Sequence, residues 1–275
     1  MTPSAYQRAI FDFVKNGRGD AAVNAVAGSG KTTTLVEASK LIHSSNALFL
    51  AFNKAIVGEL QSRLGTGVAC KTINSLGHNA LIQHLGGRLR LEEYKYREIV
   101  NDNLVAYGLT GERLADARRA VTTLVRFAQS SLSPLDDESF VNLMLHYGIE
   151  PVAGFDDVEI FHATRHALDA GEELARRGIV SFDDQIWLPV KWGLRPQRAD
   201  FVMIDEAQDL SAAKLQLVLS ARSPGGRMLF VGDPRQAIYG FAGADCNSFA
   251  NIIKRTRAVE RRFPCVTAAP RRLST

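Results

Sequence analysis

Short apolar runs alternate with stretches of helical periodicity over the first third of the chain. Strands are predicted at 21–26, 47–51 and 67–70, and helices at 4–15, from 31, at 54–63 and from 73. Strands separated by helices of this length build a parallel sheet that is covered on both faces, with ligands at the carboxyl ends of its strands. The pattern therefore predicts an α/β fold.

The pattern changes between residues 86 and 178, where helical periodicity dominates and Gly and Pro supply turn signals. We interpret this stretch as an all-helical insertion. Apolar runs return at 201–204 and 228–231, and each is followed by acidic residues, as expected of buried parallel strands that deliver side chains to a site. The sheet is therefore expected to resume after the insertion.

Residues 256–275 show no clear period and look disordered or aberrant. Seven Lys/Arg and one acidic residue lie between 254 and 275, so the net charge of +4 comes from this end of the chain. Global charge then gives no evidence of nucleic-acid binding by the remainder. With no membrane-length apolar run and no signal-peptide pattern, we expect a cytoplasmic protein, and the three scattered cysteines indicate reduced thiols.

A glycine-rich segment follows the first strand and opens a helix. In that context backbone N–H groups and the helix dipole cradle phosphates, Lys31 reaches the β- and γ-phosphates of ATP, and the Thr32 hydroxyl binds Mg²⁺. A ligand-free turn between strand and helix is the alternative. The predicted nucleotide-binding residues here are Ala27, Gly28, Ser29, Gly30, Lys31, Thr32 and Thr33.

Two adjacent carboxylates follow the strand at 201–204. Asp205 is suited to hold Mg²⁺, and Glu206 to orient or deprotonate an attacking water. A solvated acidic turn is the alternative, which the phosphate loop makes less attractive. Gln236 follows the strand at 228–231 and is placed to sense the γ-phosphate. Lys31, Asp205, Glu206 and Gln236 are thus the candidate catalytic residues.

Several segments together resemble the motifs of UvrD/Rep-type superfamily 1 DNA helicases. Gln7 is placed like the family's adenine-recognising glutamine. The other matching segments are the phosphate loop at 25–34, 51–55, 71–77, Phe182-Asp183-Asp184, Asp205-Glu206-Ala207-Gln208-Asp209 and 231–244.

The resemblance implies a RecA-like P-loop NTPase motor domain, formed by residues 1–85 and 179–255, with the helical subdomain inserted at 86–178. It also implies an ATP- and Mg²⁺-dependent helicase or translocase that moves 3′ to 5′ on single-stranded DNA, or on a duplex with a single-stranded tail. By position, the matching DNA contacts are Phe52, Asn53, Lys54, Thr72, Asn74, Tyr239 and Phe241. Core packing is the alternative for the aromatic side chains.

Three departures from the family pattern weaken the expectation of full activity. Asn74 replaces a histidine, Ala242 replaces an arginine, and no motif IV with its arginine follows, since the surroundings of Arg261 and Arg262 do not match. We expect a first motor domain that arose by truncation or frameshift and hydrolyses ATP slowly. A non-motor ATP- and DNA-binding module or an inactive helicase fragment is the main alternative, and a P-loop kinase or transporter ATPase a remote one.

Overall fold

The computed structural model describes residues 3–26, 28–150, 152–236 and 248–262. Within these ranges, six parallel strands form one sheet in the order β3-β2-β6-β7-β1-β8. The strands are β1 (Ala21–Asn24), β2 (Ala47–Ala51), β3 (Val68–Thr72), β6 (Ala199–Ile204), β7 (Arg222–Gly232) and β8 (Val259–Arg262). The α/β class and the RecA-like parallel sheet are thus confirmed.

Helices cover both faces of this sheet, which separates two apolar cores. One core contains Leu48, Val202 and Phe230, and the other contains Phe49, Met203 and Leu229. Alternate residues of each strand thus point to opposite faces, and both faces are apolar because both are buried. The covering helices are α1 (Ala5–Asn16), α2 (Lys31–Ser39), α3 (Lys54–Gln61), α4 (Ile73–Leu85), α9 (Asp184–Lys191), α10 (Ala212–Ser220) and α11 (Ser248–Thr256).

The segment inserted between α4 and α9 has an apolar core of its own, to which the ends of α4 and α9 also contribute. Its helices are α5 (Lys95–Ala106), α6 (Gly111–Ser131), α7 (Asp137–Tyr147) and α8 (Asp157–Arg176). The expectation of an all-helical insertion was wrong in one detail. The short strand β4 (Arg90–Leu91) lies inside the insertion and pairs in parallel with β5 (Ile179–Val180), just beyond its end, where the chain leaves and re-enters the six-stranded part of the fold. Two-residue strands have no apolar period, so the sequence gives no sign of them.

The expectation for the end of the chain was wrong at residues 259–262. These form β8, which pairs with β1 at the edge of the sheet. An edge strand pairs through its backbone on one side only, so it can form from a run without an apolar period. Residues 263–275 lie outside the described ranges.

Buried polar contacts tie the elements together around both cores. The Arg227 guanidinium donates hydrogen bonds to the carbonyl oxygens of Phe13, Val14 and Gly17, which end α1. Asp184 at the start of α9 accepts hydrogen bonds from Lys95 and Tyr96 of α5, and its carboxylate is fully buried. The insertion is therefore fixed to the rest of the fold by a buried ion pair.

No helix in the described ranges is long and apolar enough to cross a membrane.

Candidate nucleotide and DNA sites at the carboxyl edge of the sheet

Strand ends bring the two halves of the predicted nucleotide site together. Because β1 and β6 are parallel, the loop after Asn24 and the carboxylates after Ile204 lie at the same edge of the sheet. Thr32 Oγ1 donates a hydrogen bond to Asp205 Oδ2 over 2.7 Å, and Lys31 Nζ lies 2.8 Å from Glu206 Oε2. These side chains, predicted separately from two distant motifs, form one cluster.

The phosphate loop has the open, left-handed backbone that the sequence predicts. Gly28 and Gly30 have φ values of 73° and 74°, a region that disfavours any side chain, and an added Cβ would meet nothing within 4 Å at either position. Gly30 caps the N-terminus of α2, so that helix directs its positive end into the loop. The hydroxyl of Ser29 is buried without a hydrogen-bond partner among the described residues. The loop can accept phosphate groups without rearranging a packed core.

Charge and burial distinguish the two carboxylates. Asp205 is 8% exposed, and burial raises its pKa, while the hydrogen bond from Thr32 acts in the opposite direction and the Glu206 charge adds to the rise. The Glu206 side chain is more open at 35% exposed. Its φ of 50° is rare outside glycine, and such strain is typical of functional sites.

A bridge of hydrogen bonds joins Glu206 to the neighbouring strand β7. Gln208 Nε2 donates to Glu206 Oε2 over 2.9 Å, while Gln208 Oε1 accepts from the Asp233 backbone N–H over 2.9 Å. Asp233 Oδ2 in turn accepts from Gln236 Nε2 over 2.8 Å. Gln236 is therefore connected to Lys31 through Asp233, Gln208 and Glu206.

Gln7 lies beside α2, as an adenine-binding residue would. Its Nε2 donates to Thr34 Oγ1 over 3.1 Å, and its Oε1 accepts from the backbone N–H of Ser4, which closes a capping box at the start of α1. Gln7 thus has a structural role in addition to its position near the phosphate loop.

A second depression lies at the same edge of the sheet, beyond β6 towards β2 and β3. We call this depression the strand-end groove; its volume is about 710 Å³. It collects all the predicted DNA contacts within the described residues. They lie together because β2 and β3 are adjacent and parallel. Its lining is Phe52, Asn53, Lys54, Val57, Cys70, Lys71, Thr72, Asn74, Ser75, His78, Phe182, Asp183, Gln185, Ile186 and Lys214.

Exposed aromatic rings and positive charge meet in the strand-end groove. Phe52 is 40% exposed and Phe182 is 50% exposed, so neither ring is core packing. Lys214 Nζ lies 4.4 Å from the centre of the Phe52 ring, within cation–π range. Burial lowers the Lys214 pKa, and the charges of Asp183 and Asp209 oppose that shift.

Comparison with known proteins places these features in a family. Residues 158–257 match the family model of the UvrD/REP helicase N-terminal domain. The chain is 29% identical to F-box DNA helicase 1 of Gallus gallus over 242 residues, which cover 81% of this chain and 22% of that protein. It is 23% identical to F-box DNA helicase protein 1 of Schizosaccharomyces pombe over 249 residues, 82% of this chain and 27% of the relative.

Residues 158–257 are thus similar to the UvrD/REP helicase N-terminal domain, and most of the chain is similar to the F-box DNA helicases. The chain is also 33% identical to the RecBCD enzyme subunit RecB of Mycolicibacterium smegmatis over 84 residues, which cover 27% of this chain and 8% of that subunit. The chain spans about a quarter of the length of the F-box helicases that it matches. The predicted resemblance is thereby confirmed.

Three of the predicted DNA contacts also have structural roles. The Asn53 side chain accepts a hydrogen bond from Ile56 N–H and caps α3, and Thr72 caps α4 through Ser75 N–H. Asn74 Nδ2 donates to the Phe182 carbonyl oxygen over 2.9 Å. Asn74 therefore positions the loop that carries Phe182. Lys54 is exposed at the start of α3.

Four positions singled out in the sequence lie outside the described residues: Ala27, Tyr239, Phe241 and Ala242. Conversely, sequence reasoning gave no separate role to Gln208, Asp233 and Lys214. Gln208 and Asp233 lie in the segments 205–209 and 231–244 that match the helicase motifs, so those motifs were the signal that could have identified them. Lys214 lay outside the quoted motifs, and only the packing of α10 beside the strand-end groove brings it to Phe52.

Proposed function

We propose that this domain binds ATP–Mg²⁺ and single-stranded DNA as the first motor domain of an ATP-dependent DNA helicase or translocase. The observation that carries the proposal is the meeting of Lys31 and Thr32, at the N-terminus of α2, with Glu206 and Asp205 after β6. A lysine, a hydroxyl and two carboxylates in this arrangement are the parts that phosphoryl-transfer sites require.

Magnesium fits the donor set of the site. Thr32 and Asp205 offer two oxygen atoms at 2.7 Å from each other, and Mg²⁺ prefers one or two protein oxygens combined with phosphate and water. Bound there, Mg²⁺ would neutralise charge on the phosphate oxygens.

The residues of the chain then divide the work. Lys31 exchanges its ion pair with Glu206 for the phosphates, and Thr32 and Asp205 hold the metal. The hydrogen bond from Gln208 Nε2 to Glu206 Oε2 would then still orient the carboxylate and leave Oε1 to accept a proton from water. Gln236 senses the γ-phosphate, and the Gln7 amide and the loop at 27–33 complete the nucleotide site.

Single-stranded DNA is proposed to lie in the strand-end groove. The exposed rings of Phe52 and Phe182 suit base stacking, which tolerates any sequence, while Lys54, Lys71 and Lys214 offer cations to the phosphates. Tyr239 and Phe241 complete the proposed contact set. A tailed duplex would enter by its single-stranded tail, and movement is proposed to run 3′ to 5′.

Calorimetric titration of the 275-residue chain with ATP–Mg²⁺ tests the nucleotide site. Lys31→Ala should weaken binding at least about tenfold, because the lysine is placed to reach the phosphates, and a cooperative melting transition should show that the variant still folds without the ion pair to Glu206. Lys40→Ala is the matched control, because Lys40 is exposed and caps the C-terminal end of the same helix, α2. Equal ATP affinity in all three proteins would refute the site.

Steady-state ATPase with and without single-stranded DNA separates a motor from a non-motor binding module. DNA-stimulated turnover supports the motor, whereas ATP and DNA binding with no turnover supports a regulatory module. Slow hydrolysis by residues 1–275 stays a prediction that the same assay checks.

A further inference from the structure

The helical insertion carries a large apolar groove that shares no residue with the strand-end groove. It lies between α7 and α8, has a volume of about 810 Å³, and we call it the insertion groove. Its apolar lining comes from Phe140, Val141, Met144, Leu145, Ile149, Val158 and Phe161.

The apolar side chains of the insertion groove are open to solvent to an unusual degree. Leu145 is 76% exposed, Val158 is 61% exposed and Val141 is 53% exposed. Single exposed apolar residues are ordinary, but a contiguous set along one groove marks an interaction site. An enclosed small-molecule pocket would bury such side chains, so this shape suits a macromolecular partner.

The charges around the insertion groove indicate the chemistry of its partner. Residues 127–164 contain seven acidic side chains and neither Lys nor Arg. Of these acids, Asp137, Glu150 and Asp157 line the insertion groove itself, and its lining contains no cationic lysine or arginine. Two arginines lie close by but outside that lining: Arg113 donates to the carbonyl oxygens of Ala153 and Gly154, and Arg165 lies over the Phe161 ring. Such a rim repels DNA phosphates and attracts a basic polypeptide.

The length of the groove fits a helix. α7 has 11 residues, so a partner helix of about three turns can lie along it. Helices bind in such grooves through large apolar side chains at positions i, i+3, i+4 and i+7.

We propose that the insertion groove docks a basic amphipathic helix of a protein partner, with Leu or Phe side chains against Leu145 and Val158 and Lys or Arg side chains beside Asp137, Glu150 and Asp157. This inference does not depend on the proposed nucleotide and DNA sites, since no residue of the insertion groove belongs to either.

The test uses the full 275-residue chain and two fluorescent model peptides of four turns. Both have Leu at i, i+3, i+4 and i+7, and the remaining positions are mainly Lys in one and mainly Glu in the other. We expect the Lys peptide to bind and the Glu peptide to bind at least about tenfold more weakly, measured by fluorescence anisotropy.

Matched variants locate the binding. The double variant Leu145→Ser, Val158→Ser should bind the Lys peptide at least about tenfold more weakly, since a few large apolar side chains supply most of the binding energy at such interfaces. Val105→Ser, on α5 outside the groove and 52% exposed, is the control and should leave affinity unchanged. Circular dichroism melting should be the same for all three proteins, because every altered side chain is exposed.

Three results would overturn the proposal. Equal binding of the Lys peptide to the double variant and the wild type would place the peptide elsewhere. A dimer in light scattering that Leu145→Ser dissociates would make the occupant a second copy of the chain. Loss of single-stranded DNA binding in the double variant, with peptide binding unaffected, would make the groove a nucleic-acid surface.

Discussion

Lys31 and Glu206 form an ion pair of 2.8 Å between the start of α2 and the end of β6, 175 positions apart in the chain. The pair holds the lysine beside the phosphate loop and fixes the carboxylate that we assign to water activation. Lys31 is largely buried and Glu206 is more open, so the carboxylate is the partner that a water molecule can reach.

Replacing Glu206 by Gln should separate nucleotide binding from hydrolysis. The amide keeps the shape and can still bond to Gln208, but it cannot take a proton from water. We expect ATP affinity within about threefold of wild type and turnover lower by about 10²–10⁴. Calorimetry and a phosphate-release assay measure the two quantities. Unchanged turnover would assign Glu206 a structural role.

Phe52→Ala should weaken single-stranded DNA binding by about 1–3 kcal/mol, the value of one stacked base. Fluorescence anisotropy with an oligothymidine probe measures the change. Tyr94→Ala, an aromatic on the insertion that is 55% exposed and lies outside the strand-end groove, is the control. If both variants bind DNA as the wild type does, the groove is not the DNA site.

Lys214→Met should lower the salt dependence of DNA binding. The methionine keeps the apolar contact with Phe52 but removes one phosphate-facing cation, so the slope of log affinity against log salt should fall by about 0.7. Lys214→Arg keeps the charge and should retain the slope. A slope unaffected by both changes, combined with weaker binding of Phe52→Ala, would leave the groove intact and remove Lys214 from the contacts.

Gly232→Ala should destabilise the domain. The added Cβ would lie 2.4 Å from Gln208 Oε1 and 3.0 Å from the backbone nitrogens of Ala207 and Gln208, and backbone cannot move aside cheaply. We expect a loss of about 1–3 kcal/mol in the free energy of unfolding, measured with urea. Gly58→Ala in α3 has open space around the new methyl group and should be neutral or stabilising. Equal stability of the two variants would contradict the close packing at Gly232.

Lys95→Met should leave the Asp184 carboxylate buried without its cation. Breaking a buried pair in this way costs about 3–5 kcal/mol, and adding Asp184→Asn should restore part of the loss. Lys40→Met breaks the exposed pair with Glu37, where about 0–1 kcal/mol is expected. Urea unfolding measures the free energy of unfolding of the wild type and of each variant. A loss at Lys95 no larger than that at Lys40 would show that the pair does not fix the insertion.

Local patterns were enough to predict the phosphate loop and the acidic strand end. Glycines before Lys31 and an apolar run before Asp205 each specify a backbone shape within a few residues, and the parallel sheet then brings the two together. Phe52 and Asn74 were predicted as DNA contacts through the family resemblance alone, and the structure brings them into one groove because β2 and β3 end at the same edge.

The remaining contacts depend on tertiary packing. The link from Gln208 to Asp233 requires the register of β6 against β7, and Lys214 reaches Phe52 only through the placement of α10. Strand β8 was missed because pairing with β1 gives order to a polar run that has no period of its own. Asn53 and Thr72 carried a signal that was not used, since each immediately precedes a predicted helix and both are good N-cap residues.

The short pairing of β4 with β5 bears on the order in which the chain folds. β2 ends at residue 51 and its neighbour β6 begins at residue 199, so the central pairing of the sheet must close a very long loop. Closing such a loop costs conformational entropy and slows folding. An insertion that assembles first, with Leu91 already beside Val180, removes most of that loop before the strands meet.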